Sequence, residues 1–270
     1  MKKALRNLLI AGVLAIPAYS GISSIYTKYR VYPEIVETKK IDGFAFEIVR
    51  TKSKNPLLRV LDSILIDDSS LASSTHTGCF DGKVKSTIDI SLIEKDANEI
   101  AKDWKSYELN DSLQNPDPSW SFGKQIIYNE LKDSKDLRRD YFNKEFKYVT
   151  DHELKHAKDL TSGRYLDKAE MEFRAYLSSL NESRLALSHL DDVQRRSSGN
   201  SILSSVLKMS GYTWASKTAF EGFLEYKDTK TKYSLANLST QETSKRAKEI
   251  YAKRYNTFPF VKNTLDVCSK

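Results

Sequence analysis

The chain is poor in the residues that break or cross-link a backbone. Ten glycines and six prolines in 270 residues are both below average usage, so turns are few and helix should dominate. The two cysteines, Cys79 and Cys268, exclude a Cys-rich metal cluster and a disulfide-dense scaffold. In an oxidising compartment they form either one bridge, tying the C-terminal tail to the N-terminal half, or stay two unrelated thiols. No block of basic residues carries interleaved aromatics, which excludes nucleic acid as an expected partner. Histidine is scarce as well, with four in the chain.

Long apolar runs are missing except at the start. Lys2, Lys3 and Arg6 precede a stretch from Asn7 to Thr27 that carries no charge. A basic region followed by an apolar core from Leu8 to Ala18 is the pattern of an export signal, and Ala18-Tyr19-Ser20 offers small residues for cleavage. The same stretch is also long enough to be an uncleaved membrane anchor, so residues 1–27 read as signal peptide or anchor. Positive charge on the N-terminal side places the remainder outside in both cases, whether periplasmic, secreted or anchored. Removing the three cations of that segment takes the formal charge from +7 to +4. That is mild, and supports no more than attraction to anionic surfaces.

Residues 28–270 are expected to be α+β and predominantly helical, a small N-terminal sheet with helices over about 28–120 and helices beyond. Glu34 to Val49 looks like short strands, with Phe44, Phe46 and Ile48 in period two. Asn55-Pro56 opens a helix. Asp81-Gly82 is a hairpin dipeptide, and Val84, Ile88, Ile90 and Leu92 alternate behind it as a strand. A helix is expected from about Asp96 to Leu109. From Ser134 the chain is helical almost without interruption, with active-site helices over about 134–192 and a helical remainder over about 200–270. The 25 residues from Asp136 to Leu160 hold no glycine or proline, and Gly163 stops that helix. The next runs from about Asp167 through Leu190, and further helices cover Ile202–Met209 and Thr243–Tyr255.

Two of the four histidines fall in "DHELKHAKD", Asp151 to Asp159, where residues 152–156 read His-Glu-Leu-Lys-His, the HExxH pattern. Residues four apart on a helix share a face, so His152 and His156 can grip one Zn2+. Glu153, turned about 100° away, is too far round to be a third ligand and is placed to act as general base on water. A glycine at 159 and histidine at 162 would complete one known ligand pattern. Asp159 and Ser162 stand there instead, so the third ligand must come from the next helix. Glu170 and Glu172 are available. Asp167 and Glu170 have capping-box spacing, which leaves Glu172 free to face inward if the second helix folds back on the first. Ala175, three residues later, allows the close approach.

The stretch from about Val149 to Tyr176 resembles the gluzincin type of zinc metallopeptidase: HExxH, a turn, then Glu on a second helix. The resemblance implies a zincin-like fold, one Zn2+ held by His152, His156 and Glu172, and Glu153 as catalytic base. It also implies a sheet edge strand beside the active helix that pairs with an extended protein or peptide substrate, for which Val84–Leu92 is the expected segment. Many gluzincins carry Asp four residues after the ligand Glu; here Tyr176 stands there, so support for a ligand histidine is expected from Asp159. Lys155 and Lys158 are expected on the solvent side. His189, Tyr165 and Tyr226 are candidates for the oxyanion donor, and the sequence does not choose between them.

Two functions of different class follow. One is an exported or anchored zinc metallopeptidase, hydrolysing peptide bonds of proteins, peptides or cell-wall peptides, with residues 28–70 a pro-peptide or not. The other is a non-catalytic envelope-associated helical protein whose metal is structural or absent. Glu153 favours the first, because a structural site needs ligands but no base.

Overall fold

The computed structural model describes residues 34–50, 75–80, 83–111, 122–162, 167–197, 212–226 and 232–255. The export segment, the helix expected from Asn55, residues 202–209, Tyr165 and Cys268 lie outside them. Among the described residues no helix is long and apolar enough to cross a membrane.

The architecture is α+β and mostly helical, with a four-stranded N-terminal sheet. Strands β1 (Glu34–Ile41) and β2 (Phe44–Arg50) are an antiparallel hairpin. Its two-residue turn, Asp42-Gly43, has φ of 50° and 87°, the positive-φ pair that matches strand twist and favours Asx-Gly. Strands β3 (Thr75–Phe80) and β4 (Lys83–Asp89) are a second hairpin, with Phe80 opposite Lys83 across the Asp81-Gly82 connection. The hairpins join through β2 and β4, which run parallel, giving the order β1-β2-β4-β3. Phe46, Ile48, Ser86 and Ile88 are buried and face the helices, whereas β1 is exposed almost throughout.

The strand expected over Val84–Leu92 therefore needs correcting twice. It lies inside the sheet, paired on both sides, and its neighbour β3 is an edge, as β1 is on the far side. It also stops at Asp89, whose side chain accepts a hydrogen bond from Ser91 N at 2.9 Å and caps the following helix. Helix α1 (Ile90–Asp111) starts there, six residues before the expected Asp96. Ile90, Ile93, Ala97 and Ile100 are its buried stripe, a spacing of three and four that suits a helix better than period two.

Helices α2 (Phe122–Leu131), α3 (Leu137–Thr161), α4 (Lys168–Ser179), α5 (Leu185–Ser197), α6 (Tyr212–Leu224) and α7 (Thr240–Tyr255) follow, with a short 3-10 helix at Lys232–Asn237. Asp136 caps α3, accepting from Arg139 N at 3.1 Å. The helix expected to run unbroken to Leu190 is two helices, because Ser183 Oγ accepts from Leu185 N at 3.2 Å and starts α5 afresh. Helix α4 is the central one, with Phe173, Ala175, Tyr176 and Leu177 all buried and α3, α5, α6 and α7 packed around it. β3 and β4 pack on α3, which sets the sheet edge beside the HExxH helix.

Candidate metal centre

The stripe of α3 that turns inward is polar where a core helix should be apolar. Tyr141, Glu145, Tyr148, His152 and His156 succeed one another at helical spacing, and all are buried. The two imidazoles meet edge to face with centroids 4.7 Å apart, and their Nε2 atoms stand 3.1 Å from each other. Glu172 of α4 brings its Oε2 to 3.2 Å from His152 Nε2 and 3.6 Å from His156 Nε2. Three donor atoms thus form a nearly equilateral triangle. Ligand atoms at about 2.0–2.1 Å around a tetrahedral Zn2+ would lie about 3.4 Å apart, so the triangle has the size of such an ion.

The chemistry of the set agrees with its shape. With both imidazoles in the Nδ1–H tautomer, two ring nitrogens and a carboxylate oxygen would point lone pairs at one place, which is unfavourable away from water unless positive charge stands there. Glu172 Oε2 is buried without a hydrogen-bond partner among the described residues, as are both Nδ1 atoms. Burial alone would raise the Glu172 carboxyl; the His152 and His156 imidazoles outweigh it and bring it down to about 2. Burial likewise lowers the His156 imidazole, but Glu172, Glu153 and Asp159 more than restore it, above the ordinary histidine value. The ligand atoms of His152, Glu153 and His156 all lie within 4.8 Å of one another, a group able to hold a metal ion.

Glu153 faces the sheet edge. Thr77 of β3 donates its hydroxyl to Glu153 Oε2 at 2.5 Å and meets Ser86 Oγ of β4 at 2.7 Å. From the other side, the Tyr212 hydroxyl at the start of α6 faces the charges of Glu172 and Glu153. Burial, then these two carboxylates, push the Tyr212 phenol far up, so it stays a protonated donor.

Other expected roles fall elsewhere. Glu170 gives its backbone N–H to the Asp167 cap at 2.9 Å, while its carboxylate pairs with Arg254 of α7 at 3.2 Å. That is half of the expected capping box, and it takes Glu170 away from the histidines. Asp159, expected behind a ligand histidine, is instead held by Arg174 at 2.8 and 2.9 Å and by Lys155 at 2.8 Å. A bidentate guanidinium outcompetes an imidazole for a carboxylate. Lys155 is consequently half-buried and not on the solvent side, whereas Lys158 is exposed and pairs with Asp42 at 2.7 Å. His189 binds Glu145 at 2.7 Å and stacks on Tyr148 with centroids 4.5 Å apart. The Tyr226 hydroxyl is donated to Glu249 at 2.6 Å. Both are occupied away from the triangle.

Thr77 and Tyr212 were not singled out by sequence. The Asp81-Gly82 turn fixes Thr77 opposite Ser86 once the hairpin is accepted, so the first had a usable signal. Nothing local to Tyr212 marks it, since its place depends on how α6 packs on α4. Cys79 on β3 is disulfide-bonded; its expected partner, Cys268, lies outside the described residues. No protein-family model, curated protein or solved structure matches the chain.

Proposed function

We propose that the protein is a zinc-dependent peptidase of zincin-like type, with His152, His156 and Glu172 as ligands and Glu153 as general base. The observation that carries the reading is the 3.1, 3.2 and 3.6 Å triangle of His152 Nε2, His156 Nε2 and Glu172 Oε2. Two imidazoles with one carboxylate suit zinc better than the oxygen-preferring magnesium or calcium. Three protein ligands leave a coordination position open, as catalytic sites do and closed structural sites do not. When bound, zinc supplies Lewis-acid polarisation of a carbonyl and acidifies water to near neutrality.

The chain's own residues account for the rest. Glu153 accepts a proton from the attacking water and passes it to the leaving amine nitrogen, so the carboxylate is regenerated each turn. Tyr212, whose hydroxyl faces the Glu172 and Glu153 carboxylates, turns its one proton to the oxygen that gains negative charge. Edge strand β3, antiparallel to its neighbour β4 and packed on the base's helix, offers backbone groups to an extended protein or peptide. Export across the cytoplasmic membrane fits the basic and apolar pattern of residues 1–27 and a cysteine held as a disulfide.

Hydrolysis of fluorescein-labelled casein by the purified, zinc-supplemented protein tests the reading. Glu153→Gln should lower the rate by about 10²- to 10⁴-fold and keep its zinc. Equal rates for the variant and the wild type would sink it.

A further inference from the structure

We infer that Thr77 is a positioning residue for Glu153, fixing which of the two carboxylate oxygens acts as base; the inference rests on the reading of Glu153 given above. The Thr77 hydroxyl has one proton to give. Three acceptors lie within reach: Glu153 Oε2 at 2.5 Å, Ser86 Oγ at 2.7 Å and the Glu153 carbonyl at 3.4 Å. An ionised carboxylate can only accept, and is the strongest acceptor of the three. The Thr77 proton therefore goes to Oε2, and Ser86, fully buried, turns its own proton onto Thr77 Oγ1. The resulting chain runs Ser86 to Thr77 to Glu153 in one direction. It engages Oε2 and leaves Oε1 to accept the proton of the attacking water.

The donor comes from an unusual place. Thr77 sits on the edge strand, not on a neighbouring helix, so the base is held by the strand on which an extended peptide would lie. Thr77 and Ser86 are directly opposed in the β3/β4 register, and this pairing fixes both hydroxyls on the face that meets α3. A glutamate side chain has three rotatable bonds before its carboxylate. Without Thr77 that carboxylate swings among rotamers, most of which point neither oxygen at the reacting water. The expected loss is therefore in turnover and not in substrate binding.

Two measurements test this. The first is a double-mutant cycle on the purified full chain, read from urea unfolding midpoints of wild type, Thr77→Val, Glu153→Ala and the double variant. Thr77→Val should shift the midpoint clearly more in the wild type than in the Glu153→Ala background, where only the Ser86 contact is lost. Equal shifts in both backgrounds would overturn the inference without bearing on the peptidase reading. The second uses labelled casein and the zinc-supplemented enzyme. Thr77→Val should lower kcat by about 10- to 100-fold with KM and zinc content unchanged, and Thr77→Ser, which keeps the hydroxyl, should recover most of the loss. Unchanged kcat in Thr77→Val would overturn it, as would a fall that Thr77→Ser does not rescue. A coupled cycle in a protein whose wild type cleaves nothing would overturn the peptidase reading and the positioning role together, while the contact itself stood.

Discussion

Glu172 Oε2 stands 3.2 Å from His152 Nε2, and Tyr176, one turn further along α4, lays its ring edge to face against the same imidazole at 5.0 Å. One helix thus supplies both a charge partner and an apolar wall for the histidine. Water is kept from the ring while its nitrogen is aimed at the carboxylate. That arrangement restricts the rotamers open to His152 and so holds the Nε2–Oε2 distance on which the proposed metal site depends.

Tyr212 closes the triangle from α6. Tyr212→Phe removes the hydroxyl that faces Glu172 and Glu153 while keeping the ring. If the hydroxyl steadies developing negative charge, kcat on labelled casein falls by about 10²-fold and zinc content stays at the wild-type value. An unchanged kcat would remove Tyr212 from the reaction.

Arg174 and Asp159 fasten α3 to α4 just beyond the proposed ligands. Arg174 is 2 % exposed, forks onto Asp159, and lies over the rings of Tyr251 and Tyr255 at 5.1 and 4.8 Å. Arg174→Met preserves much of the packing but leaves a buried carboxylate with Lys155 alone. Removing one partner of a buried pair costs about 3–5 kcal/mol, so a large fall in the urea midpoint is expected, with weakened zinc retention as the ligand helices part. A loss under about 1 kcal/mol would mean that the pair behaves as a surface contact.

Asp96 gives the protein an acid-side gain in stability. Burial, then the charge of Glu145, raises its carboxyl to about 6, against about 3.9 in an unfolded chain. Between those values the folded state binds more protons than the unfolded one, so stability falls as pH rises through about 4 to 6. The His189 imidazole opposes part of the effect. Asp96→Asn should therefore stabilise the protein by up to about 2 kcal/mol at pH 7.5 and be nearly neutral at pH 4. Unfolding midpoints at the two pH values check it; equal effects at both would contradict the assignment.

Much of the site could be read before any coordinates, because its signals are local. The four-residue spacing places His152 and His156 on one face, and the Asp167 cap sets the phase of α4, which turns Glu172 and not Glu170 towards them. The Asp81-Gly82 dipeptide sets the register that brings Thr77 opposite Ser86. The misreadings have a common origin in competition that sequence does not show. Asp89 serves a strand pattern and a helix cap equally well, and the cap wins because Ile93, Ala97 and Ile100 carry the helical stripe onward. Asp159 suits an imidazole until Arg174, from another helix, takes both its oxygens. Tyr212 acquires its place only through the packing of α6 on α4. The β order, with β3 outermost, follows from the parallel pairing of β2 with β4, which no turn signal announces.

Metal content of the purified protein, by mass spectrometry, bears most directly on the triangle. About one zinc per chain is expected, lost in Glu172→Ala and retained in Glu170→Ala, whose carboxylate is engaged by Arg254. A wild-type protein that takes up no zinc when it is supplied, or a Glu172→Ala variant that keeps it, would contradict the assignment of His152, His156 and Glu172 as its ligands.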